Sequence, residues 1–485
     1  MFGVKDGFDI VIGNPPYIKE YTNKSAFESF KKSIYYQGKM DLWYAFGCVM
    51  IDNLKPNGIQ CFIAQNNWIT SAGASKLRKK ILDETKIISF VDFGNYKVFA
   101  SAGIQTMIYL IQKAKVNIGE SYTIKYSLLN DENLNNENLS EFLNFDFKAD
   151  FAQKYLFDIT TSDKNDKAFN FNTNDAELIL NKIAMVANYK FTEKEIAQGI
   201  VPNPDVVNNR NIEKIPLEKV KEYEIKLGDG VFIVKKGRFD NLEKVEKKYI
   251  KPIFEPNEVS RYKFVNDYES EILYITKTNY KKDAPNLIQH LEKYKEIMDE
   301  RRKNQNGRLD FFHLHWPRDE YYFAEGPKIL SIRKCDKPTF IYTDQPTYVM
   351  MSFNIIRTHS KSHKYLTALL NSRLIEYWLK NKGKMQGNNY QIDKEPLLNI
   401  PLFIPKSVTN FETLVDYLLY LYNKSTPQIL SHTDNTCIAK HIEDILNMMV
   451  YELYFEEHMK EVGIDVLQFI NPPSIGLSFS PTQIK

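Results

Sequence analysis

The stretch Asp9–Ile18, DIVIGNPPYI, decides how the first part of the chain reads. Its opening four residues have the pattern of a buried strand, which then runs into Gly13, Asn14, Pro15, Pro16 and Tyr17. Prolines lack an amide donor and fix φ, so they end a hydrogen-bonded ladder. Termination alone leaves Asn14 and Tyr17 without a role. A chemical reading uses all four residues. With the backbone locked by the prolines, the Asn14 side chain and a main-chain carbonyl are held at one fixed place. Both oxygens are acceptors, suited to the two hydrogens of an amino group. Tyr17 adds a flat face beside them. Two acceptors and a ring make a pocket for an exocyclic amine on an aromatic heterocycle.

Outward from the motif, the first 115 residues alternate strand and helix patterns, as an α/β domain does. In MDLWYAFGCVMIDNLKPNG, the spacing of Leu42, Ala45, Phe46, Val49, Met50 and Leu54 predicts one apolar helix face. Pro56, Asn57 and Gly58 stop that helix and open the strand IQCFIAQ. The helix ASKLRKKILDE and the strands IISFVDF and IQTMIYLIQK follow.

Asn-Pro-Pro-Tyr after an apolar strand resembles the catalytic motif of amino-group DNA methyltransferases, chiefly adenine-N6 enzymes. The resemblance implies that a target base is flipped out of the duplex into this pocket. It also implies that Asn14 and the Pro15 carbonyl hold the amine, with Pro16 keeping the turn rigid and Tyr17 stacking on the base. An aromatic in the loop before the last strand stacks on the other face in that family. Phe99, in YKVFASAGIQT, stands at the matching place, and its other reading is a core residue at a strand end.

Residues 116–185 are Asn- and Asp-rich and read as a connector of loops and short helices. Residues 186–405 carry short apolar strands such as GVFIVKK, EILYITK, PKILSIRK and PTFIYTD. Their texture, with YIKPIFEPNEVSRY, FHLHWPRDEYYF and NNYQIDKEPLLNIPLFIP, resembles the target-recognition domain of type IIG restriction–modification and TaqI-like adenine methyltransferases. Residues 406–485 hold two segments of helical periodicity and read as a helical support region. The expected fold class is therefore α/β: the C-terminal half of a Rossmann-like methyltransferase sheet, then an α+β recognition domain and C-terminal helices.

Recognition of double-stranded DNA needs phosphate contacts for position and base-edge contacts for discrimination. Arg301, Arg302 and Arg308 lie in a basic run whose arginines suit guanine edges or phosphates, and His315 and Arg318 stand among aromatics just beyond. The bland alternative for such a run is a solvated helix face. Pro204-Asp205 with Glu224-Ile225-Lys226 has the outline of a nuclease site and reads as chance, while His313 and His315 alternate like metal ligands without a convincingly spaced third and read as DNA contacts or packing residues.

Composition sets outer bounds. The chain has 485 residues and a formal net charge of +3, too small to announce a nucleic-acid binder by itself. Four scattered cysteines, Cys48, Cys61, Cys335 and Cys437, have no metal spacing and suit a reducing cytoplasm. No apolar run reaches membrane-spanning length, and the N-terminus lacks a signal-peptide pattern. The resemblance implies S-adenosyl-L-methionine as cofactor, held by a glycine-rich turn and acidic side chains ahead of the catalytic strand. Only eight residues precede Asp9, and GDGVFI and VDFGNY are the nearest downstream strings. The expectation is thus an incomplete cofactor site and an upstream half or subunit as partner. The alternative is a non-catalytic DNA-binding specificity subunit or an inactive fragment.

Overall fold

The computed structural model describes residues 6–99, 104–114, 120–131, 134–145, 147, 151–160, 174–264, 267–302, 309–386, 389–422 and 434–470. It divides into two compact units, Met1–Asn181 with Lys384–Asn389, and Lys182–Gly383 with Tyr390–Lys485.

The first unit is a mixed six-stranded sheet with helices. Its elements are β1 (Phe8–Gly13), α1 (Leu42–Asp52), β2 (Leu54–Gln65), α2 (Ser75–Glu84), β3 (Thr85–Asp92), β4 (Thr106–Lys113), β5 (Ser121–Leu129), α3 (Asn136–Leu143) and β6 (Ala152–Thr160). The strand order is β1-β2-β4-β3-β5-β6. β1 pairs parallel with β2 and β3 parallel with β5, while β4 runs antiparallel between β2 and β3. The carboxyl ends of β1, β2, β3 and β5 therefore share one edge of the sheet. In open α/β sheets this is the edge where ligands sit.

Side chains alternate across the sheet with period two. Phe62, Phe90, Met107 and Tyr109 pack with α1 and α2 around Trp43 and Trp68. The Trp68 ring lies 5.9 Å from Trp43 and 5.3 Å from Tyr109. The intervening Ile63, Val91 and Ile108 join Phe93 and Phe142 in a second cluster. On β1, Val11 packs into the first cluster, whereas Ile10 and Ile12 are 61 % and 76 % exposed.

Two sequence expectations need correction here. Residues 116–185 are not merely a connector, because β5 and β6 extend the sheet through nine paired positions. Tyr122, Ile124 and Tyr126 alternate with Ser121, Thr123 and Lys125, a strand pattern hidden by its Asn-rich flanks. The helix face was also misplaced. α1 buries Trp43, Tyr44, Ala45, Gly47, Cys48 and Ile51, and leaves Phe46 and Val49 exposed. An element that is apolar almost all round gives periodicity little to choose between.

The second unit has two four-stranded sheets. Their strands are β7 (Ile196–Gln198), β8 (Ile233–Lys235), β9 (Ile250–Phe254), β10 (Ser270–Leu273), β11 (Lys328–Ile332), β12 (Phe340–Thr343), β13 (Tyr348–Val349) and β14 (Phe353–Ile356). One sheet runs β13-β9-β10-β8 and the other β12-β11-β14-β7. A continuous core joins them, including Phe254, Tyr274, Leu330 and Phe353. Its longer helices are α4 (Pro285–Glu292), α5 (Lys295–Arg302), α6 (His363–Leu370), α7 (Arg373–Lys382), α8 (Thr409–Leu421) and α9 (Asn435–Tyr454). α8 packs on α6 and α9, with Phe411 edge-on to Tyr365 at 5.0 Å. Among the described residues no helix is long and apolar enough to cross a membrane.

Two histidines of this unit are buried neutral. Burial, then the Arg238 charge, pushes His290 down to about 4, and its Nε2 lies 3.1 Å from the Val231 carbonyl. Burial, then Arg357, likewise pushes His363 down to about 4, and its Nε2 accepts the Thr358 N–H. Both values lie below the ordinary histidine range near 6.5. Between about pH 6.5 and 4 the unfolded chain therefore binds protons that the folded chain does not, and stability falls as pH falls through that window. The urea midpoint of the full chain should decline there, more shallowly in His363→Asn. A midpoint independent of pH across the window would contradict this.

Candidate functional site

β1 ends at Gly13 because its pairing with β2 stops at Phe62 and two prolines follow. The next β2 carbonyl, Ile63, accepts the Tyr17 hydroxyl at 2.9 Å. Tyr17 thus returns to the sheet immediately past the end of β1, half-buried against the first core. Its backbone neighbour is held as well. The Ile18 N–H donates to the Asp41 carboxylate at 2.9 Å, and the Leu42 N–H donates to the Ile18 carbonyl at 2.9 Å. The aromatic ring therefore has a tether at its hydroxyl and another one residue along the chain.

Asn14 is exposed, Pro15 buried and Pro16 exposed. Among the described residues no hydrogen bond engages the Asn14 side chain, which leaves its amide available. Burial, then the charge of Asp41, pushes the Tyr17 phenol up to about 12, so it stays protonated and acts as a donor near neutral pH. Asp41 is buried at the start of α1, and burial raises its carboxyl above the usual range. Its Oδ2 has no hydrogen-bond partner among the described residues.

The same edge holds a second buried carboxylate. Asp92, at the end of β3, accepts from the Asn66 amide at 3.1 Å, the Gly94 N–H at 2.9 Å and the Tyr126 hydroxyl at 3.1 Å. These bonds oppose the burial that raises its carboxyl. They fix the loop leaving β3, in which Phe99 lies half-buried in a bend. Asn14, Tyr17 and Phe99 therefore all belong to loops at the carboxyl edge. The sequence reading gave Asp41 and Asp92 no part. Asp41 had a signal, an Asp directly before an apolar helical run.

In the second unit, Arg301 and Arg302 end α5, while their side chains and the whole of Arg308 lie outside the described residues. His313 is buried against Phe312 and Tyr280. His315 packs on the exposed Trp316 at 4.6 Å, and Arg318 lies close by.

Known proteins match both parts of the chain. Residues 1–99 match the Eco57I restriction-modification methylase family, and residues 251–402 match the TaqI-like C-terminal specificity domain. These two matches, with the relatives below, support a type II restriction–modification methyltransferase. The chain is 22 % identical over 416 residues to the type II methyltransferase M.HincII of Haemophilus influenzae, covering 82 % of this chain and 74 % of that one. It is 23 % identical over 438 residues to M.HindII of the same species, covering 82 % and 75 %. Among solved structures, the type IIL restriction-modification enzyme MmeI in complex with DNA shares the fold. It has a TM-score of 0.54 at 12 % identity, and the match spans 94 % of this chain but 54 % of MmeI.

The tether on Ile18 makes a direct prediction. Asp41→Ala removes the acceptor of that amide, and a lost partner of this kind costs about 1–3 kcal/mol. Hydrogen exchange in the peptide over residues 14–20 should accelerate roughly tenfold or more, while Asp41→Asn, which keeps an oxygen, should stay near wild type. Equal exchange in all three proteins would show that Asp41 does not hold the loop.

Proposed function

We propose that this chain carries the base pocket and the target-recognition domain of a site-specific adenine-N6 DNA methyltransferase of a restriction–modification system. The observation that carries the reading is the Asn14-Pro15-Pro16-Tyr17 turn at the carboxyl edge, with the Asn14 amide open and the Tyr17 ring tethered. Asn14 Oδ1 and the Pro15 carbonyl accept the two hydrogens of the adenine amine. Those bonds orient the amine and make its nitrogen lone pair more available. Tyr17 and Phe99 take the two faces of a flipped base, each contact worth about 1–3 kcal/mol by analogy with single-strand binders. Pro16 keeps the turn from relaxing.

The methyl donor in this reading is S-adenosyl-L-methionine, which supplies an electrophilic methyl group when bound. The described residues do not fit it as a complete site. Both buried carboxylates at the edge are turned inward, Asp41 to the Ile18 amide and Asp92 to Asn66, Gly94 and Tyr126. β1 has a strand on one side alone among the described residues. Parallel strands are normally covered on both faces, yet Ile10 and Ile12 are open, and so are Phe46 and Val49 on α1. These features support a further cofactor-binding half, upstream or on another chain, that adds to the β1 edge. The same openness favours the rival reading, a specificity subunit that binds DNA and does no chemistry.

Two experiments separate these readings. In a complex containing the cofactor-binding half, Asn14→Ala should lower methyl transfer by roughly a hundredfold or more, the scale of losing one preorganised polar contact. Duplex binding should be unchanged. Near-normal methylation by that variant would remove the pocket assignment. Titration calorimetry of this chain alone with S-adenosyl-L-methionine should show no binding heat, and addition of the second half should restore it. Micromolar binding by the isolated chain would contradict the divided site.

A further inference from the structure

The tripeptide Trp316-Pro317-Arg318 in the second unit is held far more firmly than an ordinary surface loop. Trp316 makes a two-bond bridge with Val201, its N–H donating to the Val201 carbonyl at 3.1 Å and its carbonyl accepting the Val201 N–H at 3.1 Å. From the core side, the hydroxyl of the fully buried Tyr274 donates to the carbonyls of Pro317 and Arg318, at 3.2 and 3.3 Å. Leu314, two residues before the bridge, is buried and its N–H donates to the Ile275 carbonyl at 2.8 Å. This backbone nevertheless presents a large apolar ring to solvent, since Trp316 is 52 % exposed.

Arg318 adds an uncompensated cation. Its φ is +64°, a conformation that costs a non-glycine residue about 1–2 kcal/mol. Its Nε donates to the Gly199 carbonyl at 3.2 Å and its Nη2 to Gln198 Oε1 at 3.4 Å, and its Cζ lies 5.9 Å from the Trp316 ring. All three partners are neutral. Among the described residues no carboxylate forms an ion pair with it. The nearby Arg333 has its own carboxylate, Asp393, at 2.6 Å, and the adjacent Asp319 accepts the Tyr321 N–H. Burial, then Arg333, lowers the Arg318 pKa, so the surroundings disfavour its charge. The Gly199 acceptor is also fixed, since a Cβ there would lie 1.9 Å from the Met350 carbonyl oxygen.

A half-buried guanidinium with neutral partners, fixed on a rigid turn beside an exposed indole, is complementary to an anion attached to a flat or apolar group. We propose that Trp316 and Arg318 form a preorganised contact for the backbone of double-stranded DNA, with Arg318 taking a phosphate and Trp316 packing on the adjoining sugar. The inference rests on the DNA-recognition reading of this unit and adds a division of labour. Arg318 supplies sequence-independent charge contact, and Trp316 supplies shape and apolar contact. Arginine suits the task because its fork can give a phosphate two parallel hydrogen bonds.

Salt dependence tests this without knowledge of the recognition sequence. Binding of the full chain to a labelled mixed-sequence duplex is followed by anisotropy over a salt series. Each neutralised phosphate contributes about 0.9 to the slope of log K against log salt. Arg318→Gln should lower the magnitude of that slope by about one contact. Trp316→Ala should weaken binding severalfold with the slope unchanged, and Arg318→Lys should restore the slope. Inorganic phosphate at matched ionic strength should not displace the duplex. A wild-type slope in a folded Arg318→Gln protein would overturn the proposal. So would displacement by phosphate that depends on Arg318, which would make this a free-phosphate site. If Arg318→Gln does not fold, Trp316→Ala decides, and undiminished affinity in it would overturn the proposal. Absence of any duplex binding by the wild-type chain would instead remove the DNA-recognition reading itself.

Discussion

The hydrogen bond from the Tyr17 hydroxyl to the Ile63 carbonyl links the local chemistry of the first unit to its sheet. β1 and β2 run parallel until Gly13, where the prolines end the ladder and leave the next β2 carbonyl facing a strand that is no longer there. Tyr17 fills that vacancy in the ladder with its side chain. The turn is consequently registered against β2 rather than left to find its own position. Asp41 fastens the residue that follows and ties the same turn to the start of α1. An aromatic residue on a loop thereby gains the precision of the sheet, the kind of support that side chains acting by position require.

The carboxyl edge concentrates polar groups because the sheet ends there and the loops take over. Asp92 is fully supplied with donors, whereas Asp41 keeps an oxygen without a partner among the described residues. A satisfied carboxylate rigidifies its loop, whereas a buried oxygen without a partner carries an uncompensated desolvation cost. In the second unit the same logic appears with opposite charge. Trp316 and Arg318 stand on a backbone fixed by Val201 and Tyr274, so ordering them on a ligand costs little further entropy.

Much of the first unit was legible from the chain, because strands and helices of ordinary length alternate and the prolines punctuate them. The motif Asn14–Tyr17 was legible because four adjacent residue types demand a joint explanation. The buried face of α1 was not, since Phe46 and Val49 are as apolar as the residues that pack. β5 was obscured by composition, its alternation lying between Asn-rich segments. Asp41 gains its role from Ile18, 23 residues away, and Asp92 from Asn66 and Tyr126, 26 and 34 residues away, besides its neighbour Gly94; the distant pairings exist only after the sheet forms. Trp316 sat in plain view within an aromatic block, but its rigid mounting depends on Val201 and Tyr274, far along the chain. The basic run at Arg301, Arg302 and Arg308 drew the sequence reading because charge is easy to see. For Arg318 the informative feature is that no carboxylate among the described residues pairs with it, which the sequence does not show.

On the proposed function, the turn after β1 receives the amine of adenine. The most direct measurement is mass spectrometry of nucleosides from DNA modified in a host without its own adenine methylation, expressing this chain together with the cofactor-binding half. N6-methyladenine at a defined sequence is the expected product. N4-methylcytosine in its place, or unmodified DNA from a folded and assembled complex, would contradict it.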